Sequence, residues 1–404
     1  MKLTKVKQIF NRTRIPDADI EHVVHQQMVA SGVAIPKGSS IAIATGSRGI
    51  ANIQRIVKAT AAYVKERGGN PFIVPAMGSH GGATPAGQRQ VLESYGITEE
   101  YIGAPIRSSL AVVELPQEHL ENKVYMDKYA YEADGTIIIN RIKPHSDYHG
   151  PYESGLLKMC VIGLGKHKQA LEIHQYGTRG LKELIPPTAR QVLKYGNLML
   201  GLAILENAYD ETAVLKALQP SEFEPEEPKL LAWVRQNMPS LPVPQIDVLI
   251  VDEFGKNISG VGIDPNIIGR TKIKTEPEPD YPDITSIMLL DLSEQSHGNA
   301  IGMGLADIIT RRAFNKIDFQ ATYENVVTSS FLERGFIPII VDDEKTGLEY
   351  ALRSCGLADH NNPKIIKIKN TMQLDEIWVS PRVLAEIQDR PNLEITIEEM
   401  ELFA

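Results

Sequence analysis

Residues 39–82 read SSIAIATGSRGIANIQRIVKATAAYVKERGGNPFIVPAMGSHGG, and this stretch decides the fold. It contains an apolar run of strand length, a turn with glycine, an amphipathic helix, a second apolar run and a second glycine turn. Thr84 and Pro85 then open another helix, because threonine suits the N-cap and proline the first helical position. Strands that alternate with helices every ~30 residues indicate a mostly parallel α/β sheet.

A second alternating region follows a stretch rich in proline and glutamate. That stretch, residues 219–245, is predicted to be a connector with one short helix, and apolar strands are predicted again after it. Residues 168–218 are expected to be rich in helix, and a helix is also expected at 304–317. We therefore predict an α/β protein with two α/β domains, 1–244 and 245–404, mostly parallel sheets and an active site in the cleft between the domains.

Composition limits the class of protein. The chain has 404 residues, of which 43% are hydrophobic and 23% charged, and its formal net charge is −9 at pH 7. The acidic balance argues against a nucleic-acid-binding surface, and no run approaches the roughly 18 apolar residues of a membrane span. Only two cysteines occur and the first residues contain no apolar leader, so we expect a cytoplasmic monomer or homodimer that acts on a small molecule.

Ligands of open α/β sheets bind beyond the carboxyl ends of the strands, and this rule selects a few loops. The loop after the first apolar strand holds Thr45, Ser47 and Arg48 at a predicted helix N-terminus. Backbone N–H groups, hydroxyls and a guanidinium in such a place would bind an anion. The alternative is an ordinary strand-to-helix turn in which Arg48 is solvated.

The next loop contains His80 in the sequence Gly78-Ser79-His80, directly after the second apolar strand. The neighbouring glycines would let a ligand approach closely, and imidazole is the side chain best suited to proton transfer near neutral pH. The alternative is a histidine that hydrogen-bonds within its own loop.

Residues 140–158 form the segment with the highest density of reactive side chains. They read NRIKPHSDYHGPYESGLLK and contain two histidines, two tyrosines, an aspartate, a glutamate and three basic residues. The segment is too polar to be core, so we predict that it lines the site, with His145, His149, Tyr152 and Lys158 as candidates.

Further candidates lie on a helix and in the second predicted domain. His167 and His174 are seven residues apart, which on a helix is ~10 Å and too far for both to bind one metal ion, so at most one is expected to be functional. The alternative is that both are ordinary surface or packed residues. After two strands of the second domain come loops that contain Lys272, His297 and Asn299, and these loops either face the first domain across the cleft or are plain surface loops.

Taken in order, these loops resemble the nickel-dependent lactate racemase family, whose members carry a nickel-pincer nucleotide. The resemblance spans roughly residues 35–310 and includes a histidine sixteen positions after a lysine, as in Lys158 and His174. Its other matching motifs are Arg48, Gly78-Ser79-His80, Pro144-His145, Ser154-Gly155-Leu156-Leu157-Lys158, and Asp264-Pro265-Asn266 followed six residues later by Lys272.

The resemblance implies a role for each candidate. Lys158 would tether the nucleotide (nickel bound to pyridinium-3-thioamide-5-thiocarboxylic acid mononucleotide) covalently, and His174 would ligate the nickel. His80 and His145 would form the acid–base pair, with His149 as an alternative to His145. Residues 1–244 would then be the cofactor-tethering domain and 245–404 the domain that closes the cleft. The remaining candidates would bind the cofactor (Thr45, Ser47, Lys272) or the substrate (Arg48, His149, Tyr152, His297, Asn299).

The reaction implied is inversion at C2 of a 2-hydroxy acid. The C2–H is very weakly acidic, because the neighbouring carboxylate resists further negative charge, so removal of hydride is easier than removal of a proton. A base on each face of the substrate then removes or returns the hydroxyl proton. The hydride needs a cofactor, because side chains cannot accept it. Cofactor-synthesis enzymes would be transient partners, and a host without that pathway would yield the apo form.

The departures from the family pattern bear on the substrate. His145 and Lys158 are thirteen residues apart, about three more than is usual in the family, and the stretch between them is polar rather than aromatic and apolar. Thr45 and Gly269 stand where the family has Asp and Gln. We therefore expect a sugar acid or another polar 2-hydroxy acid rather than lactate.

Two other functions are compatible with these residues. The first is a metal-dependent hydrolase or lactonase that acts on a sugar acid on the same scaffold, although no compact metal-ligand motif is present. Its candidate metal ligands are His80, His145, His149 and His174. The second is a non-catalytic protein that binds a sugar acid or carries the cofactor.

Overall fold

The computed structural model describes residues 1–46, 49–357 and 361–403. The sequence-based predictions for Ser47 and Arg48 concern positions outside the described residues. The strands are β1 (Lys2–Gln8), β2 (Ser40–Thr45), β3 (Asn70–Pro75), β4 (Val112–Leu115), β5 (Val124–Asp127), β6 (Gly135–Arg141), β7 (Leu198–Glu206), β8 (Thr212–Leu218), β9 (Gln245–Phe254), β10 (Asp283–Leu292), β11 (Ile308–Thr310), β12 (Ile339–Val341), β13 (Ile365–Asn370), β14 (Gln373–Val379) and β15 (Leu393–Glu401).

The α-helices range from single turns to fifteen residues. Two π-helical turns, Met159–Gly163 and Gly180–Leu184, continue short helices. The helices are α1 (Ile20–Ala30), α2 (Ile53–Glu66), α3 (Pro85–Ser94), α4 (Glu99–Ile102), α5 (Lys128–Tyr131), α6 (Leu156–Lys158), α7 (Lys166–His174), α8 (Gly177–Arg179), α9 (Ile185–Tyr195), α10 (Phe223–Asn237), α11 (Pro265–Ile268), α12 (Arg311–Phe314), α13 (Phe319–Ser329), α14 (Glu344–Ser354) and α15 (Pro381–Ile387).

The chain divides into two compact units. The first unit is Asn11–Met238, and the second unit combines Met1–Phe10 with the chain from Pro239 onward. The boundary therefore lies at Met238 and Pro239 rather than at residue 244, and the first ten residues do not belong with the rest of the predicted first domain. The reason is that β1 is hydrogen-bonded between β14 and β15 in the sheet of the second unit.

The sheet of the first unit has the strand order β3-β2-β6-β7-β8. The first four strands are parallel, and β8 pairs antiparallel with β7. Strand β2 is a buried run in which Ile41 and Ile43 pack into one cluster and Ala42 and Ala44 into another, so the sheet is covered on both faces. A sheet buried on both faces explains why the strands are almost continuously apolar.

The sheet of the second unit has the order β12-β11-β10-β9-β13-β14-β1-β15. The first five strands in this order, β12, β11, β10, β9 and β13, are parallel to one another. The last three, β14, β1 and β15, each pair antiparallel with their neighbours. Taken together, the two units confirm the predicted α/β class with mostly parallel sheets.

Local structure differs from the sequence-based prediction in three places. Residues 198–218 form the strands β7 and β8 instead of helix, and Ile308–Thr310 forms β11 within the segment predicted to be helical. These short apolar runs fit a buried strand or a buried helix equally well by periodicity, and the neighbouring strands decide between the two. The predicted connector carries α10, a helix of fifteen residues that tolerates an internal proline, Pro228.

Within the described part of the chain, no helix combines the length and the apolar character that crossing a membrane requires.

Candidate functional site

The carboxyl ends of three parallel strands of the first unit meet the turn that follows Lys158. A Cβ placed on Gly46, after β2, would lie 3.2 Å from Asn140 Oδ1 at the end of β6 and 3.6 Å from Met159 Cε. A Cβ on Gly78, after β3, would lie 3.0 Å from Ile162 Cγ2. The loops that the sequence analysis selected therefore converge on the π-helical turn Met159–Gly163, as expected for the carboxyl edge of a parallel sheet.

Lys158 and His145 are in direct contact. Lys158 Nζ lies 2.5 Å from His145 Nε2, and the imidazole stacks on Tyr148 with ring centroids 4.7 Å apart. Lys158 ends the short helix α6, whereas His145 lies in the loop after β6, so the contact joins two elements thirteen residues apart. The amine and the imidazole, which were predicted to lie in one site, are in contact.

Each ring nitrogen of His145 has a hydrogen-bond partner. The Asp147 amide N–H donates to His145 Nδ1 at 3.1 Å. His145 Nε2 and Lys158 Nζ share the second hydrogen bond, and the tautomer of the ring decides which of the two nitrogens donates. In the tautomer that carries its proton on Nε2, Lys158 accepts this bond as a neutral amine, which is its nucleophilic form.

A buried carboxylate organises the loop that carries His145. Glu153 is 1% exposed and accepts hydrogen bonds from the amides of His145 at 2.5 Å and Gly150 at 3.0 Å. Its Oε1 also lies 3.3 Å from His149 Nδ1 and accepts from the Arg235 guanidinium of α10. Because one carboxylate binds both ends of this loop, the two histidines are fixed relative to each other.

A second buried carboxylate holds the helix that carries Lys158. Glu227 Oε2 accepts from the amides of Leu156 and Leu157 at 2.8 and 3.1 Å. Burial disfavours the charged form and raises the pKa of Glu227 to about 7, and the two amide bonds only partly offset that effect.

His174 ends α7, and its side chain is exposed. Its pKa is lowered, first because neighbouring atoms displace water from around the ring and then because the positive charge of Lys158 opposes a second one nearby, while Asp147 acts in the opposite direction. A lowered pKa keeps imidazole neutral, which is the form that binds a metal ion. The electrostatic coupling places His174 in the same region as Lys158 and Asp147.

The first residue of α7 is anchored in the interior. Lys166 is fully buried, pairs with Asp127 at 2.9 Å and donates to the carbonyl of Pro75 at the end of β3. Burial lowers the pKa of Lys166, and the charge of Asp127 partly restores it. This ion pair joins α7 to both β3 and β5.

His80 follows β3 at the start of a 3-10 turn, and its side chain is exposed. Gln88 of α3 donates to the carbonyls of Gly78 at 2.9 Å and His80 at 3.4 Å, which fixes the turn from below. Since Gly78 packs on Ile162, the turn with His80 lies against the segment that follows Lys158.

Thr45 offers a polar group that fits a bound ligand. It is fully buried at the end of β2, and its hydroxyl has no hydrogen-bond partner within the described residues. A buried polar atom without a partner is costly, so a ligand that bonded this hydroxyl would remove that cost.

Two predicted substrate ligands already take part in the packing of their loop. The Tyr152 hydroxyl donates to the carbonyl of Glu224 at 3.3 Å, while the His149 ring bonds Glu153 and remains 41% exposed. Of the two, His149 therefore keeps a surface that a ligand can reach.

The remaining predicted residues lie in the second unit. Lys272 is half-buried and donates to the carbonyl of Gly304 at 2.8 Å, and desolvation lowers its pKa. Asn299 accepts from the amide of Ile301 at 3.2 Å and so shapes its own turn, whereas His297 is exposed. The predicted participation of these residues in the site of the first unit stays a prediction.

Side chains alone do not form a metal cage in the ranges that the structure describes. No group of three or more His, Cys, Asp or Glu residues there is placed to hold a metal ion. A hydrolase of the zinc type needs three such ligands, whereas a metal held mainly by a cofactor needs fewer.

Comparison with known proteins agrees with this architecture. The family described as "Domain of unknown function (DUF362)" matches residues 45–218, which include Lys158, His145, His80 and His174. The solved structure of the lactate racemase apoprotein from Thermoanaerobacterium thermosaccharolyticum matches with a TM-score of 0.56 at 12% identity, over 92% of this chain and 99% of that chain. The chain has the fold of lactate racemase. The comparison with curated proteins gave no significant match.

The match to lactate racemase confirms, at the level of fold, the resemblance inferred from the motifs. Glu227 and Arg235, in contrast, were not expected near the site. They lie in the stretch 219–245, where closely spaced charges and prolines are typical of a solvated connector. The one available signal was the apolar run after Pro228, whose helical spacing predicts that one face of the segment is buried.

Proposed function

We propose that the protein is a racemase or epimerase that inverts C2 of a 2-hydroxy acid with the help of a nickel-pincer nucleotide. The observation that carries the proposal is the contact of the Lys158 amine with His145 at the carboxyl edge of the sheet. The fold of lactate racemase supports the same reaction class, because it provides the scaffold on which that chemistry occurs in the neighbour.

The residues of the first unit fit the proposed cofactor. The Lys158 amine is suited to covalent attachment in its neutral form, and His174 as a neutral imidazole is suited to nickel. The Thr45 hydroxyl, which has no partner among the described residues, is suited to a polar group of the nucleotide. When bound, the nucleotide would supply the hydride acceptor that no side chain provides.

The side chains would manage the proton of the substrate hydroxyl. His145 would take the hydroxyl proton on the ring nitrogen that carries none. The Asp147 carboxylate, 3.7 Å from His145 Nδ1, would then stabilise the imidazolium. His80 would serve the opposite face, and Glu153 and Gln88 would keep the two loops in place.

The polar lining favours a polar substrate. Ser146 and Asp147 lie in the same loop as His149, which is partly exposed, and together they offer hydrogen-bonding groups where an apolar wall would suit lactate. Groups of this kind discriminate against a ligand that leaves them unpaired. We therefore propose a sugar acid or another polar 2-hydroxy acid, and turnover of lactate at a comparable rate would contradict this.

The test is intact-mass and metal analysis of protein produced together with the cofactor-synthesis enzymes. We expect a covalent adduct with one nickel, lost in Lys158→Ala and retained in the control Lys168→Ala, which changes an exposed lysine of α7. His80→Ala and His145→Ala should retain the adduct and lose turnover. Zinc without an adduct would instead identify a hydrolase.

A labelled substrate tests the chemistry of C2. Deuterium at C2 should return to the product with little loss to water, because hydride transfer does not exchange with solvent. Rapid loss of deuterium to water would identify deprotonation and overturn the proposal.

A further inference from the structure

The second unit exposes a set of large apolar side chains along one edge of its sheet. Strand β12 is the outermost strand at that edge, and α13 and the 3-10 turn Leu332–Gly335 precede it in the chain. Between 43% and 67% of the surface of each residue is accessible to solvent. These six residues form the edge patch: Tyr323, Val327, Leu332, Phe336, Ile337 and Ile339.

Packing between α13 and the turn after it brings the first members of the edge patch together. Tyr323 and Val327 lie one turn apart on α13, next to the buried Val326. The turn Leu332–Gly335 runs back along the same helix, since a Cβ on Gly335 would lie 2.9 Å from Val326 Cγ2. The exposed residues of the helix and of the turn are therefore neighbours.

A row of aromatic rings connects α13 to the edge strand. The ring centroids of Phe314 and Phe319 are 5.6 Å apart, and those of Phe319 and Tyr323 are 5.5 Å apart. Phe314 ends α12, and α12 also contacts β12, which begins with Ile339. The edge patch thus borders a single region that α12, α13 and β12 enclose.

Charged side chains are scarce in this part of the surface. From Asn325 to Val341 the sequence contains two charged residues, Glu333 and Arg334, although 23% of the whole chain is charged. Of these two, Arg334 is fully buried. Depletion of charge around exposed aromatic and aliphatic residues is the compositional signal of the core of a protein–protein interface.

The opposite edge of the same sheet has a different character. Four of the nine residues of β15 are glutamates, and a bulge interrupts the pairing of β15 with β1. Charges and bulges on an edge strand prevent another chain from pairing with it. Strand β12 contains no charged residue, but it is three residues long and follows Pro338, so its edge favours contact through side chains rather than an added strand.

We propose that the edge patch is the contact surface between two copies of this chain in a symmetric dimer. An interface of standard size covers ~800 Å² per partner, of which roughly 500 Å² is apolar. At their observed exposures the six side chains offer roughly 600 Å² of mostly apolar surface, which is enough for such a contact.

The charge of the chain favours a second copy over a partner of another kind. Each copy has a formal net charge of −9, so two copies repel each other through their charged surfaces. A contact that is nearly free of charge avoids placing like charges opposite each other, and a two-fold axis lets the same patch serve both copies. A differently charged partner would instead be recognised by complementary charges, which the edge patch does not offer.

Sedimentation equilibrium of the full-length protein measures the association. We expect a dimer of the 44.7 kDa chain with a dissociation constant of about 1 µM or below. Ile339→Asp is the test variant, and it should weaken the dimer roughly a hundredfold or more, because it places a charge in the contact. Ile397→Asp is the matched control, since Ile397 is the fully exposed isoleucine of β15 at the other edge of the sheet.

Three results would overturn the proposal. They are a parent protein that stays monomeric at about 50 µM, a dimer that Ile339→Asp retains unchanged, and an equal loss of the dimer in Ile397→Asp. Circular dichroism establishes that each variant is folded. If Ile339→Asp does not fold, Val327→Asp takes its place, because it changes an exposed residue of α13 and leaves the strand intact.

Hydrogen exchange of the parent protein locates the contact without any substitution. The amides of residues 319–341 should exchange more slowly at about 50 µM than at about 0.1 µM, whereas those of residues 393–401 should exchange at the same rate. Slower exchange confined to another segment would place the contact elsewhere and contradict the proposal. None of the six residues belongs to the candidate site, so the outcome is independent of the proposed function.

Discussion

At the scale of residues, buried carboxylates hold the loops of the candidate site in place. Glu153 binds the loop of His145, Glu227 binds the turn of Lys158, and Glu206 accepts from the amide of Ala51 at 2.7 Å. A carboxylate that accepts backbone N–H bonds makes stronger hydrogen bonds than a neutral side chain, but it is costly when those bonds are lost. The loops are therefore fixed more strictly than their polar composition suggests.

The raised pKa of Glu227 predicts how the free energy of unfolding depends on pH. Its pKa is about 7 in the folded protein and near 4.5 in the unfolded chain, so between these values the folded state binds more protons. The free energy of unfolding should therefore fall as pH rises from about 5 to about 7, with a contribution from this residue of about 3 kcal/mol.

Glu227→Gln should remove that contribution, and urea unfolding at several pH values measures it. The comparison must be made between the variants, because the lowered pKa of His174 gives a contribution of the opposite sign below the ordinary imidazole pKa. An unchanged slope in Glu227→Gln would show that Glu227 ionises normally.

Removal of the Glu153 carboxylate is expected to lower both the stability of the protein and its turnover. In Glu153→Ala the amides of His145 and Gly150 lose their acceptor inside the protein, and we expect a loss of about 3 kcal/mol in unfolding free energy. Turnover should fall by roughly tenfold or more, since His145 is no longer held in position. Chemical denaturation and steady-state kinetics measure the two effects. Glu121→Ala serves as the control, because its ion pair with Arg179 is exposed, and a comparable loss there would argue against a special role of Glu153.

At the scale of elements, α10 supports the candidate site along most of its length. The carbonyl of Glu224 binds Tyr152, Glu227 binds α6, and Arg235 binds Glu153. Its first residue packs closely on the sheet, since a Cβ on Gly201 of β7 would lie 2.6 Å from the Phe223 ring. The segment that the sequence predicts to be a connector therefore forms a helix of the first unit, and this helix positions the loops of that unit.

The ion pair at the start of α7 provides a test at this scale. Lys166 and Asp127 are both fully buried, so Lys166→Met should leave a buried charge and cost about 3 to 5 kcal/mol of unfolding free energy. Adding Asp127→Asn should recover much of the loss, because asparagine is neutral and still accepts from the Ala130 amide that caps α5. Denaturation of the single and double variants gives the comparison, and equal losses in both would refute the argument.

At the scale of the whole molecule, the two units differ in the number of chain segments from which each is built. The first unit is a continuous segment, whereas the second unit needs residues from both ends of the described chain. Strand β1 lies inside the sheet of the second unit, with Thr4 opposite Val379 on one side and Glu399 on the other. Removal of β1 would therefore expose the edges of both β14 and β15.

This arrangement predicts different behaviour for the two isolated segments. Residues 11–238 should fold alone, with a cooperative thermal transition by circular dichroism and a monodisperse size-exclusion profile. Residues 239–404 should be poorly folded and prone to aggregate, and a fusion of residues 1–10 to that segment should restore cooperative unfolding. A cooperative transition in 239–404 without residues 1–10 would show that β1 is dispensable.

The sequence predicted the loops of the candidate site better than it predicted the residues that hold those loops in place. The loops after β2, β3 and β6 were identified because apolar strands followed by glycine-rich turns are local patterns. Lys158 and His145 were assigned to one site by motif, and they are in contact. Glu227 and Arg235 were missed because their charges resemble those of a solvent-exposed stretch, and their partners lie about 70 to 80 residues earlier in the chain.

The sequence by itself determined the α/β class, the alternation of strand and helix, and the loops that hold the candidate side chains. Those features depend on periodicity and turn chemistry within a few neighbouring residues. Only the tertiary structure decided that β1 joins the distant strands β14 and β15, that 198–218 is sheet, and that Glu227 of α10 accepts from the first amides of α6. Such choices depend on which unpaired edge or buried surface is available in the fold, and no local pattern encodes a partner that lies far away in the chain.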